Sequence, residues 1–131
     1  MTGVQTCALP ISVEVPFMLY NVPGRTGVDI LPDTVKRLFD DVSNIIGIKE
    51  ATGSIARTVE LLKKIPELYL FSGDDAIDYP LLASGAKGIT SVTSNLLPDI
   101  KCKLTHLALE GDFKASKALN NELFDINKVL F

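Results

Sequence analysis

Ile45-Ile46-Gly47-Ile48-Lys49-Glu50 is the run that decides how this chain is read. Three isoleucines around a glycine, followed by two charges, read as a buried strand whose last residues leave the core. An ammonium at the inner end of such a strand is costly, which favours the neutral amine. A neutral lysine amine is a nucleophile that forms Schiff bases with carbonyl compounds. Upstream, Val13 to Tyr20 reads as a second buried strand. It too ends in polar groups, in the run Tyr20-Asn21-Val22-Pro23-Gly24-Arg25-Thr26-Gly27. Two successive strands that each end in reactive side chains predict one site lined by both.

Outward from these two strands the pattern repeats. Pro32-Asp33-Thr34 opens a helix to about Asp40, with Leu31, Val35, Leu38 and Phe39 as its apolar face. Ser54 is placed to cap a helix through Lys64, with Ile55, Val59, Leu61 and Leu62 turned inward, and Pro66 stops it. Leu68 to Phe71 is a third strand, closed by Ser72-Gly73-Asp74-Asp75. A short helix follows from Ala76 to Ser84; it tolerates Pro80 only in its first turns or at a kink, and Gly85 marks its end. Gly88 to Val92 is the fourth strand. Pro98 to about Glu110 and Phe113 to Phe131 are helices, the last packing through Ala118, Leu119, Leu123, Ile126, Val129 and Leu130.

Four strand–helix units in succession imply a parallel sheet covered by helices, an α/β architecture. With the polar residues gathered after the strands, the arrangement is that of a (β/α)8 TIM barrel, whose chemistry sits at the C-terminal strand ends. Only four units are present. Residues 12–111 therefore read as the last four units, the C-terminal half of a barrel, and residues 112–131 as the start of a C-terminal helical region. An open doubly wound sheet is the alternative. It calls for a GxGxxG phosphate loop after the first strand, and Gly24-Arg25-Thr26-Gly27 does not supply one.

The bulk composition narrows the function class. The 131 residues carry a net charge of −3 with both signs interspersed, so no basic stripe points to nucleic acid. No apolar run approaches the ~18 residues that span a bilayer, which argues against a membrane role. The two cysteines, Cys7 and Cys102, form no metal or redox motif; Cys102 reads as a reduced packing residue of a cytoplasmic protein. Residues 1–11 lack periodicity and a basic n-region, and so make neither a signal nor a transit peptide. They resemble the translation of a sequencing-adapter oligonucleotide and are read as a non-native leader. On that reading the natural protein begins well before Ser12, and the abrupt stop at Phe131 is a truncation as well.

The runs Tyr20 to Gly27, Gly47-Ile48-Lys49-Glu50-Ala51-Thr52-Gly53, Ser72 to Asp75 and Ser91-Val92-Thr93-Ser94-Asn95 resemble the dihydrodipicolinate synthase family. The likeness extends from about Val13 to Phe131. It implies a Schiff-base lyase on a (β/α)8 barrel, acting in lysine and diaminopimelate biosynthesis as a cytoplasmic homotetramer and using no metal or organic cofactor. Its substrates would be pyruvate and L-aspartate 4-semialdehyde. By the same resemblance Lys49 would attack the pyruvate ketone, and Tyr20 would relay protons. Arg25 would hold the semialdehyde carboxylate, and Thr90 would meet pyruvate through its backbone carbonyl, although the family more often has an aliphatic residue there. N-acetylneuraminate lyase and 2-keto-3-deoxy sugar-acid aldolases share the tyrosine and lysine but generally lack the arginine, whose fork suits a carboxylate.

The family's Gly-Thr-Thr-Gly-Glu type motif and its further tyrosine do not occur in this sequence. The chain alone is therefore expected to be inactive, and a non-catalytic half-barrel module stands as a further alternative. Other residues have plainer readings. Ser72-Gly73-Asp74-Asp75 is a turn with acidic dipole partners rather than a metal site, Glu50 is an ion-pair partner near the site, and His106 is a surface or packing residue. Lys101, Lys103, Lys114, Lys117 and Lys128 read as a solvated helix face.

Overall fold

The computed structural model describes residues 14–130; the leader assigned to residues 1–11 lies outside them, as do Val13 and Phe131. Among the described residues four parallel strands form one sheet in the order of the chain: β1 (Phe17–Asn21), β2 (Ile45–Glu50), β3 (Tyr69–Ser72) and β4 (Gly88–Ile89). Sequential order without reversal is the topology of a barrel wall. A doubly wound sheet reverses its order at a switch point.

Between the strands run α1 (Pro23–Thr26), α2 (Pro32–Asp41), α3 (Ile55–Lys64) and α4 (Asp78–Ala83), the last preceded by a 3-10 turn at Asp75–Ile77. After β4 come a second 3-10 turn, Thr93–Asn95, and the helices α5 (Pro98–Leu109), α6 (Phe113–Glu122) and α7 (Phe124–Val129). No helix among the described residues is long and apolar enough to cross a membrane.

The core lies between the sheet and its helices. Val35, Ile48, Leu61, Ile65, Leu68, Leu70, Leu81 and Leu104 are all at most 1% exposed, and they join every layer from α2 to α5. Ile48 points to the helices, so its neighbours Gly47 and Lys49 point to the opposite face, the one that becomes a barrel's interior. That face is close-packed at Gly47, where an added Cβ would press on the Tyr69 carbonyl oxygen and stand 2.9 Å from Tyr69 Cβ.

Several elements differ from the sequence reading. β1 starts at Phe17, after Pro16, which has no N–H to give a ladder. On α3 the buried residues are Thr58 and Leu61, while Ile55 and Val59 are 41% and 51% exposed. Arg57 sets that rotation, because its guanidinium is drawn onto Glu50 and Asp29 beside the strand ends. The Ser54 cap forms as read, its hydroxyl accepting from Arg57 N at 3.2 Å. Pro80 falls within the first turn of α4, where its missing N–H costs nothing. β4 is two residues long because the amides of Val92 and Thr93 turn away to the carboxylate of Asp75.

The final helix is two helices that meet at Leu123. Their inward face includes Ser116, Leu123 and Asn127, whereas Val129 is 82% exposed. Lys101 overturns the solvated-face reading: it is 1% exposed and paired with Asp75 at 2.7 Å and with Asp78. With Lys101 turned inward, Cys102 stands about 100° further round the helix and is exposed instead of packed, its thiol 3.4 Å from His106 Nδ1.

Candidate active site

Because all four strands are parallel, their C-terminal ends share one rim, and the residues singled out in the sequence gather there. Tyr20 and Lys49 are register partners in the β1–β2 ladder, so their side chains rise side by side on the same face. Lys49 Nζ lies over the Tyr20 ring, 4.1 Å from its centroid, a cation–π contact. Arg25 arrives on α1, the short helix that Pro23 opens and Gly27 closes in the left-handed conformation, φ 69°. Thr90 follows β4 directly, its amide donating to Ser72 O at 2.7 Å.

These four residues line one cleft of about 470 Å³, together with Val22, Gly24, Ala51, Gly73, Asp74 and Val92. Lys49 is half-buried there rather than sealed in the core, because the inner face of the sheet around it is open: Met18, Tyr20 and Tyr69 are 37%, 48% and 54% exposed.

Gly73 supplies the space for the lysine. An added Cβ at that position would stand 2.8 Å from Lys49 Cε and 2.9 Å from Ala51 Cβ. No signal in the local sequence marks this role, since it depends on β2 and β3 lying side by side.

Beneath the rim a polar network fixes the strand ends. Glu50, 2% exposed, accepts from Arg57 Nε at 2.8 Å and from Thr52 N at 3.0 Å. Arg57 also donates to Ile30 O and pairs with Asp29 at 3.3 Å. Asn21, 1% exposed, donates to Asp29 at 2.9 Å and accepts from Ile30 N at 3.1 Å. The ends of β1 and β2 and the loop that follows Arg25 are thus tied to a single guanidinium. Glu50 is legible in the sequence as an ion-pair partner; Arg57, one helical segment away, is not.

The second buried network lies behind Gly73 and Thr90. Burial pushes the carboxyl of Asp78 up to about 6 despite the Lys101 charge, and Asp78 Oδ1 has no hydrogen-bond partner among the described residues. Burial acts on Asp75 in the same sense, but Lys101, the Ser91 hydroxyl and the Thr93 amide outweigh it and hold that carboxyl below the usual range. Asp74 does not join Asp75 in a cation site; its Oδ1 caps Ala76 N at 3.0 Å.

The sequence model of the dihydrodipicolinate synthetase family matches residues 8–131. This chain belongs to that family. It is 80% identical over 124 residues to the 4-hydroxy-tetrahydrodipicolinate synthase of Sulfurovum sp. (strain NBC37-1), a match covering 95% of this chain and 42% of the relative. Solved structures of the dihydrodipicolinate synthetase family give the same picture. The 4-hydroxy-tetrahydrodipicolinate synthase of the thermoacidophilic methanotroph Methylacidiphilum fumariolicum SolV superposes with a TM-score of 0.91 at 43% identity, covering 95% of this chain and 42% of that one. The chloride-inhibited dihydrodipicolinate synthase of Acinetobacter baumannii, complexed with pyruvate, does so at 0.91 and 39%, covering 98% and 44%. The four-stranded wall is therefore part of the family's (β/α)8 barrel, and the chain spans less than half the length of the relatives it matches.

Proposed function

We propose that this chain carries part of the active site of a 4-hydroxy-tetrahydrodipicolinate synthase, which condenses pyruvate with L-aspartate 4-semialdehyde through an imine on Lys49. The observation that carries the reading is the single cleft in which the Lys49 side chain, the Tyr20 ring, Arg25 and Thr90 meet. The names of the relatives support it, as does the solved neighbour complexed with pyruvate.

In this reading the Lys49 amine adds to the pyruvate ketone and water leaves, giving an imine. Loss of a methyl proton converts the imine to an enamine, whose carbon attacks the aldehyde. The semialdehyde amine then displaces Lys49 as the ring closes. Tyr20, half-exposed beside Lys49, passes protons between these groups. Arg25, exposed at the mouth of the cleft, offers its guanidinium fork to the semialdehyde carboxylate. The Thr90 backbone meets the pyruvate end. None of these steps calls for a metal or an organic cofactor.

Arg25 also weighs against the neuraminate-lyase and sugar-acid-aldolase readings, since those branches generally lack this arginine. The full-length parent is proposed to be a cytoplasmic homotetramer.

Treatment of the restored full-length parent with pyruvate and borohydride, followed by peptide mass mapping, tests the imine. Lys49 should carry the reduced adduct, and labelling at another lysine, or at none, would remove the assignment. Turnover by these 131 residues alone is expected to be negligible; product formation near the rate of a full-length relative would refute that expectation.

A further inference from the structure

One wall of the Lys49 cleft is made by two turns, Gly73–Asp74 after β3 and Thr90–Val92 after β4. The ladder between these strands ends with the bond from Thr90 N to Ser72 O. Beyond it the turns are joined by two buried side chains. Asp75 Oδ2 accepts from Val92 N at 2.7 Å and from Thr93 N at 3.2 Å, and Oδ1 accepts from the Ser91 hydroxyl. Asn127, on α7, donates from Nδ2 to Asp75 O at 3.0 Å and accepts from the Thr93 hydroxyl at 2.7 Å. Asp75, Thr93 and Asn127 are at most 2% exposed.

We propose that Asp75 and Asn127 form a clamp that sets the gap between these two turns, making both of them positioning residues for the cleft wall against which the substrate lies. The consequence for substrate rests on the pyruvate-imine reading above; the clamp itself does not. Hydrogen bonds to an ionised carboxylate are about twice as strong as neutral ones, so Asp75 outcompetes the strand ladder for the Val92 and Thr93 amides. That competition ends β4 early and turns Thr90 and Val92 toward Lys49. Asn127 closes the loop by holding the turn that carries Asp75 to the turn that Asp75 holds. It does so from the C-terminal helices, 52 positions away from Asp75 in the chain. A wall fixed at both ends keeps reacting groups oriented, and displacements of about 1 Å at such a wall suffice to slow a reaction.

Amide hydrogen exchange on the chain and on two variants tests the clamp. Thr93→Val keeps the side-chain volume and removes only the bond to Asn127, while Asn127→Ala removes both of its bonds. Exchange at the Val92 and Thr93 amides should quicken by about tenfold in Thr93→Val, the factor expected for one buried hydrogen bond, and by more in Asn127→Ala. Exchange at Ile48 and Leu61 should stay unchanged in Thr93→Val. Unchanged exchange at Val92 and Thr93, or a rise in step with Ile48 and Leu61, would overturn the proposal. Because Thr93→Val is nearly isosteric, it decides the matter even if Asn127→Ala fails to fold.

In parallel, in the full-length parent, borohydride trapping of pyruvate at Lys49 should slow in Thr93→Val at a fixed pyruvate concentration, and a rate equal to that of the unsubstituted parent would sink the link to substrate. If the unsubstituted full-length parent itself takes no label, the imine reading falls, and the exchange result still decides the clamp.

Discussion

Replacing Lys101 with methionine separates the two readings of that residue by an order of magnitude in energy. On a solvated helix face the change is worth no more than about 0.5 kcal/mol. In the structure Lys101 is 1% exposed and is the cation shared by Asp75 and Asp78, themselves 1% and 0% exposed. Methionine fills the same channel, so little packing is lost. What remains is two buried carboxylates without their cation, and breaking a buried pair in this way costs about 3–5 kcal/mol. Against a total stability of about 5–15 kcal/mol for a domain, that brings Lys101→Met close to unfolding.

Urea unfolding followed by far-UV circular dichroism measures the difference. The loss should be largest at about pH 7.5 and smaller at about pH 5, where the stranded carboxyls take up protons. Adding Asp75→Asn and Asp78→Asn to Lys101→Met should recover part of the loss, because neutral amides need no cation. A Lys101→Met chain within about 0.5 kcal/mol of the native one at about pH 7.5 would refute the buried-pair argument.

The two carboxyls of that cluster also predict opposite pH responses. Asp78 is raised from 3.8 to about 6, so its contribution is fully present below the unfolded value and is lost as pH rises through about 6; Asp75 is lowered, so its contribution is present above the unfolded value and is lost as pH falls through its folded one. The Asp78 shift corresponds to about 3 kcal/mol at 1.36 kcal/mol per unit. Stability curves of Asp78→Asn should therefore lack a decline that the native chain shows between about pH 4 and pH 7, and parallel curves would remove the assignment. At the opposite face of the sheet, Gly47→Ala drives a methyl against the Tyr69 carbonyl and 2.9 Å from Tyr69 Cβ. The strain should cost about 1–3 kcal/mol or more, read as a lowered thermal midpoint; an unchanged midpoint would mean that β2 and β3 are not packed in this register.

Local chemistry was legible along the chain wherever the residues themselves set the backbone. Ser54 caps α3, Pro66 ends it, and Pro80 sits in the first turn of α4, all because capping and proline geometry act within a few residues. The strand ends of β1 and β2 were equally plain, because an apolar run that stops at Tyr20-Asn21 or Lys49-Glu50 has one place to stop. The pattern misleads where a helix has more than one apolar stripe to offer. The apolar spacing predicts an inward face for Ile55 and Val59 that Arg57, anchored on Glu50 and Asp29, turns away. The apolar pattern predicts an unbroken terminal helix because it says nothing about Asn127 being drawn inside to bond Asp75 and Thr93.

The sequence by itself determined that this chain is a succession of parallel strand–helix units with Tyr20, Arg25 and Lys49 at or just beyond strand ends and Thr90 within the fourth strand, since the period of the pattern and the points where it breaks are local properties. Only the tertiary structure decided that these four residues share one cleft, that Gly73 makes room for Lys49, and that Lys101 is an interior cation between Asp75 and Asp78. Contacts of this kind join positions tens of residues apart, and a lysine on a helix carries no local mark of which way it faces. Its burial is settled by where the carboxylates of another element come to rest.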